Sequence, residues 1–197
     1  MDVSVKTTDD VRKEVLLGDN SKRWVNANST LQYGNDYKTD RKIGLSGEAY
    51  FKIKESNHPF TLTTETVNVL LNSGVFLIED FEDKNTLKVT LYDGIAKLLI
   101  KGAKQEVLLN AGTTLVFDEK KQTLEMSNVK AGTYGPNWII NKFEYTPFIN
   151  VLYSLSDYYD ISVTNQKPEL NNEPYTLIIE GDKTLGEVMM ILQAISK

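Results

Sequence analysis

Along the first two thirds of the chain, apolar and polar positions alternate in short runs rich in Val, Leu, Ile, Thr and Tyr, separated by Gly, Asn and Asp. That period of two predicts half-buried β-strands. One unit recurs: an apolar stretch, a turn former, and a second apolar stretch. It reads Val15-Leu16-Leu17-Gly18-Asp19-Asn20 leading into Trp24-Val25, then Ile43-Gly44-Leu45-Ser46-Gly47 leading into Tyr50-Phe51-Lys52-Ile53. It returns as Val89-Thr90-Leu91-Tyr92-Asp93-Gly94 leading into Leu98-Leu99-Ile100, and as Val107-Leu108-Leu109-Asn110-Ala111-Gly112 leading into Leu115-Val116-Phe117. Each copy is expected to be strand, tight turn, strand, with Gly and Asn supplying positive φ. No copy could bury its apolar face alone. Stacked copies could, so the pattern predicts a layered all-β body, solenoid-like or sandwich-like; a simple meander of hairpins is the plainer alternative. The uneven starts of the copies argue against a β-helix of fixed period.

The pattern changes near Ala131-Gly132-Thr133-Tyr134-Gly135-Pro136, which reads as a linker. It separates an all-β domain over 1–132 from a small α+β domain over 137–197. In the second, Ile139 to Tyr145 reads as a strand, and Thr146-Pro147 as the N-cap and first position of a helix. Phe148, Leu152, Leu155 and Tyr159 share one face of that helix. If Tyr159 faces the core, Tyr158 lies about 100° away toward solvent, where a contact residue would sit. Strands are expected over 161–164 and 175–180. Thr184-Leu185-Gly186-Glu187 is a capping box opening a second helix, buried through Leu185, Val188, Met189 and Leu192. The expected module is thus strand-helix-strand-strand-helix, attached to a mainly β protein.

Composition narrows function. The chain has 197 residues, 22 Lys plus Arg against 27 Asp plus Glu, a net charge of −5, no Cys and one His. Disulfides, thiolate metal sites and Cys nucleophiles are excluded. The charge balance speaks against nucleic acid or an anionic membrane surface as principal partner. No apolar run approaches the roughly 20 residues of a membrane span. Met1-Asp2-Val3-Ser4 is an abrupt start, as in the excised soluble portion of a longer protein. Phosphate-binding loops, dinucleotide fingerprints and nucleophile elbows are missing. His58, in Ser56-Asn57-His58-Pro59, reads as a loop residue. Glu79-Asp80-Phe81-Glu82-Asp83 lacks the register of a calcium loop and reads as a solvated turn. Asn28-Ser29-Thr30 is a bare sequon. Tyr33, Tyr37, Tyr50 and Tyr92 read as strand and core residues rather than a sugar-binding platform. The residues alone predict no catalytic, cofactor or metal site. They point to a binding or interaction protein, not an enzyme.

A family resemblance sharpens this. Leu17-Gly18-Asp19-Asn20-Ser21 followed by Arg23-Trp24-Val25-Asn26-Ala27-Asn28-Ser29-Thr30-Leu31-Gln32-Tyr33 resembles the opening of the FecR family. Leu45-Ser46-Gly47-Glu48-Ala49-Tyr50-Phe51-Lys52-Ile53 resembles its G-E-A-Y-F motif, and His58-Pro59-Phe60-Thr61-Leu62 its following P-F-x-V. The stretch 86–97 resembles the next strand, glycine turn and strand. Trp138 to Ile195 is similar to the closing domain of Bacteroidetes members, itself similar to the secretin/TonB short N-terminal module. The resemblance covers roughly residues 11–196.

It implies the periplasmic part of an inner-membrane anti-sigma regulator. Such a part senses the signalling domain of a TonB-dependent outer-membrane receptor and controls an extracytoplasmic-function sigma factor through a cytoplasmic region outside this sequence. It implies no cofactor. The chain stops at Lys197, directly after the last helix, where members continue with a further strand pair; a strand edge is expected to lie uncovered. The expected partner-binding residues are Tyr175, Thr176, Leu177, Ile178 and Ile179 on that strand, with Tyr158 and Tyr159 as aromatic anchors. The alternative is a carbohydrate-binding β module or a glycan-active surface protein.

Overall fold

Twelve strands build the first part of the computed structural model, which describes residues 3–9, 11–102 and 105–196. They are β1 (Val3–Lys6), β2 (Lys13–Leu16), β3 (Lys22–Val25), β4 (Thr30–Tyr33), β5 (Lys42–Ile53), β6 (Phe60–Thr63), β7 (Val67–Leu71), β8 (Gly74–Asp80), β9 (Thr86–Ile100), β10 (Gln105–Asn110), β11 (Thr113–Asp118) and β12 (Thr123–Asn128). One sheet runs β1-β4-β5-β6-β7-β9-β10, with β5 and β6 parallel and the other pairs antiparallel. A second, wholly antiparallel, runs β2-β3-β5-β8-β9-β11-β12.

Two long strands belong to both sheets. The first half of β5 pairs β4 and β6; from Gly47 onward it pairs β3 and β8. The first half of β9 pairs β8 and β11; from Ile95 onward it pairs β7 and β10. This is a sandwich whose corners are bent strands that change sheets. Glycine makes the bends. Gly47 has φ 108 and Gly94 φ 90. A Cβ on Gly47 would stand 2.8 Å from Ser29 Cα, and one on Gly94 2.6 Å from the Ser73 carbonyl oxygen.

That corrects the repeat reading. The first copy is a hairpin, β2 against β3. The second and third copies are single bent strands, β5 and β9. In the fourth, Ala111-Gly112 carries the chain round the same corner, with β10 pairing one half of β9 and β11 the other. An apolar run, a glycine and another apolar run look alike whether the glycine reverses the chain or bends it. Only long-range register separates the two.

Between the sheets lies one core. Phe51, Phe60 and Phe76 are fully buried, with Phe51 stacked on Phe76 at 4.9 Å between centroids. On the opposite face of β5, Tyr50 packs against Trp24 at 5.4 Å and Tyr92 at 6.0 Å. Tyr37 and Tyr50 are buried, as expected of core tyrosines.

The chain divides into two compact units, Met1–Lys130 and Ala131–Lys197. The second holds β13 (Ile140–Pro147), α1 (Phe148–Tyr159), a 3-10 turn (Pro168–Leu170), β14 (Pro174–Glu180) and α2 (Leu185–Ile195). β13 and β14 form a two-stranded antiparallel sheet with a bulge between Phe143 and Thr146. The order is therefore strand-helix-strand-helix.

Residues 161–164 alternate in burial but form no strand among the described residues. The reason is local. The Ile161 amide donates to the Ser156 carbonyl at 3.0 Å, and the Ser156 hydroxyl donates to the Ile161 carbonyl, so the segment begins as part of the α1 C-cap. At the other end of α1, Pro147 occupies the N-cap and contributes no side-chain cap. Thr146 instead donates to the Glu144 carbonyl. The first amides of the helix are satisfied by carbonyls from the approach to β14: Phe148 by Glu173 at 2.9 Å and Ile149 by Asn171 at 3.1 Å. α2 opens with the expected capping box, Glu187 amide to Thr184 Oγ1 at 3.2 Å and Thr184 amide to Glu187 Oε2 at 2.7 Å. Val188 and Leu192 are buried in it, whereas Met189 is exposed.

Candidate interaction site

Alternation along β14 sorts the expected contact residues by face. Tyr175, Leu177 and Ile179 point toward the helices: Tyr175 lies 5.0 Å from Phe148 ring to ring, and Ile179 is buried. Thr176 and Ile178 point outward, Ile178 with 59% of its surface exposed. Across the strand pair, Ile178 faces Lys142 and Ile140 faces Glu180, which makes Ile140 and Ile178 diagonal neighbours on the open face. Ile140 is also exposed. Among the described residues β14 pairs only with β13, so the N–H and C=O groups of its far side meet no strand. Such an edge is a template for one more strand.

Tyr158 and Tyr159 are placed differently from expectation. Both are buried, at 4% and 2% exposure. The Tyr158 hydroxyl donates to the Gly181 carbonyl at 3.0 Å and the Tyr159 hydroxyl to the Lys183 carbonyl at 2.8 Å. Burial, reinforced by the nearby Glu187 and Asp182 carboxylates, pushes the Tyr159 phenol up to about 12. The rotation argument fails because the buried arc of α1 is wide: Val151, Leu155 and Tyr158 form a second apolar row beside Phe148, Leu152 and Tyr159. These tyrosines therefore hold the β14–α2 turn and do not serve as surface anchors. Their grip needs Gly181, where a Cβ would stand 2.5 Å from the Tyr158 hydroxyl and 2.6 Å from the Pro136 carbonyl.

Sequence reasoning missed Tyr145. It sits in the β13 bulge with φ 46, is 84% exposed, and its amide donates to Thr176 Oγ1 at 3.1 Å. Its neighbours Glu144 and Thr146 carry no turn signal that could have revealed a bulge.

In the β body, other polar groups are structural. Arg41 is buried and donates to Asp19 Oδ2 at 2.8 Å and to the carbonyls of His58 at 2.8 Å, Lys54 at 2.6 Å and Asn72 at 3.3 Å. Arg23, also buried, stacks over the Tyr33 ring at 4.2 Å; desolvation lowers its basicity. His58 is exposed in its loop, as expected. The acidic run 79–83 closes β8 and turns into β9; Asp80 accepts from the Thr66 hydroxyl at 3.0 Å and Glu79 pairs with Lys84 at 3.2 Å. Ser29 of the sequon is buried. Among the described residues no group of His, Asp and Glu has the arrangement of a metal site, and no helix is long and apolar enough to cross a membrane.

This chain matches two family models: "FecR protein" over residues 3–97 and "FecR, C-terminal" over residues 141–197. The two stretches fall in the β body and in the small second unit. Two crystal structures of a candidate anti-sigma factor from Parabacteroides distasonis ATCC 8503, at 1.65 and 2.50 Å resolution, share the architecture. Each aligns with a TM-score of 0.64 over 98% of this chain and 91% of the other, at 17% and 18% identity. At that identity the likeness carries the fold. No curated protein matches the chain. With both of its parts matched in order, the chain belongs to the FecR family.

Proposed function

We propose that this chain is the periplasmic sensing part of a membrane-anchored anti-sigma regulator, and that its second unit receives the signalling domain of a TonB-dependent outer-membrane receptor. The observation that carries the mode of binding is the two-stranded β13–β14 sheet, in which β14 keeps one side unpaired while exposing Ile178. The partner adds a strand along Pro174–Glu180, main-chain hydrogen bonds supply affinity, and Thr176 and Ile178 with the neighbouring Ile140 select side chains on the open face. Receptor binding is then transmitted through the rest of the full-length protein to an extracytoplasmic-function sigma factor.

Calorimetric titration with the signalling domain of the receptor encoded beside the gene tests this. One-to-one binding, abolished by Ile178→Glu with the fold intact, is expected. Undiminished binding by Ile178→Glu refutes the strand-addition mode, and no binding by the parent chain refutes the choice of partner.

A further inference from the structure

Among the described residues the β body has four terminal strands: β1 and β10 in one sheet, β2 and β12 in the other. Sheet edges attract other strands unless they are short, charged or irregular. β1 and β2 are four residues long and carry Lys6, and Lys13 with Glu14. β12 is longer but mostly exposed on both faces, so no buried row would fix the register of an added strand.

β10 is different. It spans Gln105–Asn110 without Lys or Pro, and its one charged residue, Glu106, is neutralised by Lys97 of β9 at 2.9 Å; Val107 and Leu109 are buried beneath it, and Leu108 stands outward with 62% exposure. Among the described residues it pairs only with β9.

We infer that the β10 edge is a self-association surface whose occupant is β10 of a second copy of this chain. In an antiparallel pair, directly opposed residues share a face. A two-fold axis at Leu108 would therefore set Leu108 against Leu108, Val107 against Leu109 and Glu106 against Asn110. The apolar rows of both copies then join on the core side. On the outer face the leucines meet at the axis, and each carboxylate faces an amide, so no like charges are opposed. Moving the axis to Val107 would bury Leu108 against Glu106; moving it to Leu109 would set Leu108 against Asn110. The sequence of the strand thus favours one register. The seam is a single strand wide, which makes the association weak and reversible.

The lack of cysteine in the chain gives a clean test. Sedimentation of the parent chain over a concentration series should show monomer giving way to dimer. Leu108→Lys, at an exposed position, should melt like the parent and weaken association at least tenfold by opposing two ammonium groups. Leu108→Cys should form an intermolecular disulfide under mild oxidation much faster than Met126→Cys, placed on the exposed β12 edge. A parent that remains monomeric, a dimer indifferent to Leu108→Lys, or equal cross-linking at the two cysteines would overturn the assignment. None of these outcomes depends on the receptor.

Discussion

Arg41 offers the sharpest test of what holds the β body together. Its guanidinium is fully buried, paired with Asp19, and bonded to carbonyls of His58, Lys54 and Asn72. One side chain thereby ties the β2–β3 turn, the loop between β5 and β6, and the β7–β8 turn at one end of the sandwich. Arg41→Ala strands the Asp19 carboxylate, leaves those carbonyls without their donor and opens a cavity. Removing one partner of a buried ion pair costs about 3–5 kcal/mol. With an m-value of about 2 kcal/mol per molar urea, a loss of about 4 kcal/mol lowers the midpoint by about 2 M. Trp24 packs in this unit, so its fluorescence in a Trp138→Phe background reports the transition. Arg41→Lys should recover less than about half of the loss, since a compact ammonium cannot span acceptors arranged for a planar fork. A loss below about 1 kcal/mol for Arg41→Ala, or parental stability for Arg41→Lys, would refute this account of the node.

Other predictions follow from single contacts. Gly94→Ala places a methyl group 2.6 Å from the Ser73 carbonyl at φ 90 and should destabilise by ~2–3 kcal/mol in urea titration, whereas Gly112→Ala, with φ 79 but open space, should cost about 1 kcal/mol. Thr184→Ala removes the α2 cap and should lower stability by about 1 kcal/mol, read as earlier loss of helical circular dichroism on heating. The Tyr159 phenol, near 10 when unfolded, is raised to about 12 in the fold. Its contribution is therefore complete below pH 10 and is lost as pH rises toward 12; Tyr159→Phe should flatten that stretch of the stability–pH curve, and an unchanged slope would contradict the burial argument.

Local chemistry was legible wherever one segment carried its own signal. The Thr184–Glu187 capping box, the α1 row of Phe148, Leu152, Leu155 and Tyr159, and the 175–180 strand all depend on neighbours within a turn or two. What stayed hidden depends on distant partners. Gly47 and Gly94 bend strands because other strands claim each half of β5 and β9. Tyr158 is buried because Gly181 leaves room for its hydroxyl, and 161–164 joins no strand among the described residues because the α1 C-cap takes up its first residue. Of the expected contact residues, Thr176 and Ile178 lie on the open face; the two tyrosines brace it from within.

Amide hydrogen exchange along β14, with and without the receptor's signalling domain, addresses the central claim most directly. Strand addition predicts that amides of Tyr175–Glu180 not bonded to β13 become strongly protected in the complex, while those already in the β13 ladder change little. Protection confined to other surfaces, with β14 exchanging as in the free chain, would contradict it.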